Sequence, residues 1–344
     1  MRPTNISSLL VSATILSVAL CGCSGSPSSG GNGAAGGSTA AAIRTGGGGG
    51  IMAAAGGSLA SGGAPLAGGS TATNTSAACS MGTWPAADPS KAGPYATTTE
   101  NNVGPQAGVG VDGGAPPQFT MFRPKDMAEG GLCHPVITWG NGHGTTPSIY
   151  SHLLTTLASH GFVVIAANTS TVSQGTPAPM LVGVTWVLEQ NADPTSVLYQ
   201  RIDTSHIGAT GHSEGAFATT VAAGDSHIVT MAPICGASTQ RNLHGPALLL
   251  CGGQDTTVPC SGILTTLNTI TTQPAMLGDY LTATHGGWLT FGNSALGPVE
   301  VAVVAWMRVQ LMGDTALRPT FYGATCTLCQ DPAWQVTQNS LMNQ

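Results

Sequence analysis

From residue 119 onward, short apolar runs alternate with longer stretches whose apolar residues recur at helical spacing. The runs at 119–122 (FTMF), 135–139 (PVITW), 162–167 (FVVIAA), 206–210 (HIGAT), 227–234 (HIVTMAPI), 246–252 (PALLLCG) and 278–283 (GDYLTA) are bounded by turn residues and predict buried strands. Between them, 148–161 places Ile149, Leu153, Leu154, Leu157 and Ala158 on one stripe and predicts a helix. Further helices are predicted over 178–192, 214–224 and 298–313, and Gly161 and Gly313 are placed to stop two of the four. Strands that alternate with helices in this way predict an α/β fold with a mostly parallel central sheet flanked by helices. No internal repeat is visible, and no lid insertion interrupts 227–255.

The amino-terminal part lacks this pattern. Arg2 and an apolar run from Leu9 to Leu20, too short to span a bilayer as a stable helix, predict a signal peptide over 1–23. Leu20, Gly22 and Cys23 are spaced as in a bacterial lipoprotein processing site, so membrane anchoring through a lipidated Cys23 is expected, with ordinary secretion as the alternative. Residues 24–78 are mostly Gly, Ala, Ser and Thr, with Arg44 their one charge. Such a tract has little large apolar surface to offset the entropy of ordering it, and a flexible tether is expected there. The catalytic head is then 79–344, expected to act as a monomer at the cell surface, in the periplasm or outside the cell.

Composition narrows the partners. Charged residues are only 7% of the 344, and the net charge is -6, so no basic patch exists and nucleic acid is excluded as a partner. Seven of the nine cysteines lie beyond the tether: Cys79, Cys133, Cys235, Cys251, Cys260, Cys326 and Cys329. An exported chain favours disulfides, and an odd number leaves at least one thiol unpaired within the chain. Cys326 and Cys329 sit in the carboxy-terminal tail and not at a strand-to-helix junction, which favours a structural disulfide over a redox pair. Neither a second cysteine pair nor a spaced histidine pair accompanies them, so zinc is not expected.

The chemistry centres on Gly211-His212-Ser213-Glu214-Gly215, which falls where the predicted strand 206–210 meets the helix starting near 214. A chain with 49 glycines produces such a pentapeptide by chance, but a chance match seldom lands on a strand-to-helix junction, where a sharp turn projects the serine hydroxyl. A serine nucleophile needs an imidazole base and a carboxylate to orient it, following in the chain order Ser, Asp, His. Asp255 lies just past the strand 246–252, whereas Asp279 falls inside a strand and Asp225 in the loop after the elbow helix. His285 follows the next strand and precedes two glycines, while His206 and His227 open strands and His152 and His160 lie on a helix. The developing oxyanion needs two donors: the backbone N–H of Glu214 is one, and the glycine-rich loop 140–144 is placed to supply the other.

These residues carry a likeness. The head, from about Gly93 to Met312, resembles the polyesterase, lipase and cutinase group of α/β-hydrolases, which includes bacterial cutinases and polyethylene terephthalate hydrolases, in GPYATTT (93–99), LASHGFVVIAANTS (157–170), GHSEG (211–215), GGQDTTVP (252–259) and ATHGGW (283–288). The resemblance implies an α/β-hydrolase fold without a lid domain, with Ser213 as nucleophile, Asp255 as orienting acid, His285 as base and His143 as the other oxyanion donor, and it implies no cofactor or metal. His212 and Trp288 are the substrate-binding candidates. The family has an aromatic ring at the position of His143, often Trp before the serine and Met after it, and a tryptophan after the sixth strand that MAPICGASTQ lacks. These departures remove an aromatic clamp, and Glu214 brings a charge that would repel acidic substrates. The implied function is a secreted or tethered serine hydrolase of small, lipid or polymeric esters. A non-catalytic binding module on the same scaffold, or transfer of the acyl group to an acceptor other than water, are the alternatives.

Overall fold

The computed structural model describes residues 77–106, 116–169, 177–239, 242–292 and 294–343. Contacts divide the chain into 1–71 and 72–344, and every described residue belongs to the second unit. The expected signal peptide, Cys23, and the tether up to residue 76 lie outside the described residues. No helix among the described residues is long and apolar enough to cross a membrane.

Among the described residues nine strands form one sheet: β1 (Thr97–Val103), β2 (Phe119–Pro124), β3 (His134–Gly140), β4 (Val163–Ala167), β5 (Ile202–His212), β6 (Ile228–Ile234), β7 (Ala247–Gly252), β8 (Ala275–Tyr280) and β9 (Trp334–Gln338), in the spatial order β1-β2-β4-β3-β5-β6-β7-β8-β9. The six strands from β4 to β8 in that order are parallel, and β1, β2 and β9 add antiparallel edges. The helices are α1 (Ser151–Ser159), α2 (Ala178–Ala192), α3 (Glu214–Ala222), α4 (Cys260–Leu267), α5 (Pro298–Met312) and α6 (Thr327–Gln330).

The continuous apolar runs are explained by burial on both faces of the sheet. Ile137, Trp139, Val164, Leu248 and Leu250 pack with α1 and α5 on one face, while their neighbours Val136, Val163, Ile165 and Leu249 pack with α2, α3 and α4 on the other. The chain runs from β3 to β4 on one side and then continues from β5 on the other, so the strand order reverses between β3 and β5. In open α/β sheets that reversal opens a crevice at the carboxyl ends of the two strands. Here those ends are Gly140 and His212.

Most predicted elements stand within a few residues of their expected limits, and Gly313 stops α5 in the left-handed conformation (φ 64°). The last predicted strand, 278–283, is shifted: β8 spans Ala275–Tyr280, because Gly278 lies inside the strand and not at its start. A Cβ on Gly278 would meet the Trp334 ring of β9 at 3.1 Å, so this glycine serves close packing. Among the described residues Cys79–Cys133, Cys251–Cys260 and Cys326–Cys329 form disulfides, and Cys235 is free and buried.

Candidate active site

Ser213 sits between β5 and α3 with φ 56° and ψ -118°, a strained conformation for a residue with a side chain. Surrounding structure holds it there. The Ser213 N–H donates to the Ile234 carbonyl at 3.0 Å, and its own carbonyl accepts from Ala216 and Phe217 in the first turn of α3. The flanking glycines let three backbones meet: a Cβ on Gly215 would stand 2.0 Å from the Gly140 oxygen, and one on Gly211 would stand 2.7 Å from it. A side chain at either position would push β3, β5 and α3 apart.

The loops after β7 and β8 bring two partners to this serine. His285 Nε2 lies 2.9 Å from Ser213 Oγ, and its Nδ1 lies 2.7 Å from Asp255 Oδ2. The other carboxylate oxygen of Asp255 accepts from the N–H groups of Thr257 and Val258 at 2.8 and 2.9 Å. Burial by itself would raise the Asp255 pKa, but the Val258 amide, His285 and the Thr257 amide outweigh it and hold the carboxyl below its ordinary value. Asp279 stays in β8, as expected, and burial raises its pKa.

The loop after β3 runs against the serine. A Cβ on Gly142 would lie 3.5 Å from Ser213 Cβ, 2.9 Å from Tyr150 Oη and 3.0 Å from His212 Nδ1, so only glycine fits. Asn141, fully buried, anchors this loop to the end of β4 by donating to the Ala167 and Thr169 carbonyls, and it accepts from Trp139 Nε1. Gly144 at φ 69° and the Thr145 N–H to Gly142 carbonyl bond at 3.1 Å close the turn around His143. As the first residue of α3, Glu214 has an N–H with no acceptor one turn earlier in the helix. The side chains of these two loop ends also meet, with His143 Nδ1 3.3 Å from Glu214 Oε2.

Residues 73–333 match the PETase family, described as PET hydrolase-like. The chain belongs to that family. No curated protein matches it. Membership makes this PETase-family chain an esterase- or cutinase-like α/β-hydrolase.

Within this PETase-family site, the substrate-binding candidates His212 and Trp288 expose 9% and 3% of their surfaces. His212 Nε2 lies 2.8 Å from the His285 carbonyl and must donate to it. Its Nδ1, 3.0 Å from Tyr150 Oη, then accepts from the Tyr150 hydroxyl, which itself accepts from the Gly142 N–H at 3.1 Å. Trp288 Nε1 donates to the same His285 carbonyl at 3.1 Å, with its ring edge-on to His212. The loop before the serine and the loop carrying His285 are thus coupled through one imidazole. Desolvation by burial pushes the His212 pKa down to about 4, which agrees with the neutral tautomer the bonds require.

Sequence reasoning missed Tyr150, Asn141, Thr290 and Glu300. Glu300, fully buried on α5, accepts from the Thr290 hydroxyl at 2.5 Å and the Gly297 N–H at 2.8 Å, and Thr290 Oγ1 also lies 3.0 Å from His152 Nδ1. These bonds tie down the segment that follows His285. One legible signal existed: Pro298 followed by Glu300 is a helix start whose acid reaches back to the preceding backbone.

His212, Cys235 and His285 bring two ring nitrogens and a thiol within 4.8 Å of one another, the geometry of a metal cluster. Both nitrogens of each imidazole are already engaged in the bonds above. Burial, and after it the Asp255 charge, push the Cys235 thiol pKa up, so it stays protonated. The cluster is arranged for hydrogen bonding.

Proposed function

We propose that this chain is a serine hydrolase of carboxylic esters that works through an acyl-enzyme. The observation that carries the proposal is the continuous line Ser213 Oγ, His285 Nε2, His285 Nδ1, Asp255 Oδ2, with contacts of 2.9 and 2.7 Å. Ser213 Oγ attacks the ester carbonyl as His285 takes its proton, and Asp255 stabilises the imidazolium that forms. The tetrahedral oxyanion is held by the backbone N–H groups of Glu214 and His143. His285 returns the proton to the departing alcohol, and water, activated by the same imidazole, releases the acid. His212 and Trp288 act as positioning residues that fix the base, each through the His285 carbonyl. The leader and tether read from the sequence place the catalytic head outside the cytoplasm, either anchored through Cys23 or freely secreted, and the partner is an ester, whether small, lipid or polymeric.

Turnover of aryl esters of increasing acyl length, and of a polyester film, tests this with the native protein and Ser213→Ala side by side. The native protein is expected to exceed the variant by at least about a thousandfold on its best ester. Equal turnover by both would refute the proposal, and binding without turnover would favour a non-catalytic module.

A further inference from the structure

We propose that Glu214 sets the charge preference of this site, favouring esters that carry a cationic group near the scissile carbonyl and disfavouring anionic ones. The inference rests on the ester-hydrolase assignment above. Glu214 follows the nucleophile, opens α3, and reaches across to the loop carrying His143, where its Oε2 lies 3.3 Å from the imidazole. That oxygen is buried yet has no hydrogen-bond partner, because the imidazole approaches it without hydrogen-bonding geometry. The side chain as a whole keeps 27% of its surface exposed.

At a partly buried place like this, a carboxylate interacts with a nearby substrate charge more strongly than it would in bulk water. Among the described cations, Lys91 pairs with Asp88, Arg123 with Glu100 and Arg308 with Asp314, and Arg318 lies over the Tyr322 ring. A substrate carboxylate close to Glu214 meets like charge, whereas a substrate cation there is attracted.

The test uses aryl esters with matched acyl chains ending in a methyl, a trimethylammonium or a carboxylate group. The kcat/KM of each is measured for the native protein and for Glu214→Gln at low and high salt, over the background of Ser213→Ala. The native protein at low salt is expected to prefer trimethylammonium to methyl to carboxylate, with the extremes at least about tenfold apart. Because the readout is the ratio between substrates, a general loss of rate cancels. Glu214→Gln is expected to shrink that ratio to within about threefold, and salt to compress it in the native protein. A native protein indifferent to substrate charge, or an order that survives Glu214→Gln, overturns the inference. Should the variant not fold, the native protein decides alone: an order unaffected by salt overturns it. Turnover without charge preference leaves the ester-hydrolase assignment standing, whereas no turnover of any of the three removes both.

Discussion

Ser213 and Asp255 are each held by backbone hydrogen bonds as well as by His285. The Thr257 and Val258 amides fix the Asp255 carboxylate, so Asp255→Asn is expected to keep the fold and lose the correct imidazole tautomer, lowering kcat by about 10⁴ with little change in KM. A loss below tenfold in steady-state assays would show that Asp255 does not orient His285. His212 makes a different prediction, on stability. Its folded pKa of about 4 lies below the ordinary histidine value of about 6.5, so the folded state resists a proton that the unfolded chain accepts. Its contribution, of order 3 kcal/mol, is complete above pH 6.5 and is lost as the pH falls towards 4. Urea unfolding at neutral and at acid pH checks this. The native protein should lose more stability between the two than His212→Phe does, and equal losses would contradict a neutral, buried His212. The convergence of Ser213, Asp255 and His285 was legible because chain order and strand ends bring those positions to one edge of the sheet. Tyr150 and Asn141 were not, since each acts on residues far along the chain, and His212 gave no sign that its ring points inward to a carbonyl 73 residues away.

At the level of elements, the acid loop is stapled at its base. Cys251 at the end of β7 and Cys260 at the start of α4 enclose Asp255 in a short disulfide-bonded loop. Chain-entropy arguments assign such a loop about 2–3 kcal/mol. Replacing both cysteines by serine is therefore expected to lower the unfolding free energy by about that amount, read by thermal or urea denaturation, and to reduce kcat more than KM as Asp255 gains freedom. Unchanged stability and kcat would show that the hydrogen bonds alone hold the loop. The parallel strands were legible because burial on both faces leaves uninterrupted apolar runs. The edges were not: β1 (TTTENNV) is polar and half-exposed, and β9 (WQVTQ) has only Trp334 buried. Alternation that weak carries little signal. The short α4 begins at Cys260 directly after Pro259 and offers too few turns for a helical period to stand out.

For the whole molecule, the sheet does the gathering. Its strand order reverses beside the serine, so the loops after β3, β5, β7 and β8 converge on one crevice while α1 and α5 cover one face and α2, α3 and α4 the other. The fold class was legible from alternation alone, and the family from five short segments. What neither periodicity nor resemblance revealed is the coupling of the crevice's loops through His212 and Tyr150, which exists only once the sheet is assembled. The central claim is that Ser213 becomes transiently acylated, and trapping that state tests it most directly. Incubation with a fluorophosphonate or a slowly released aryl ester, followed by peptide mass mapping, should place a single adduct on the peptide containing Ser213, formed at least about a hundredfold more slowly in His285→Ala. An adduct on another residue, or none while esters are still turned over, would contradict the account.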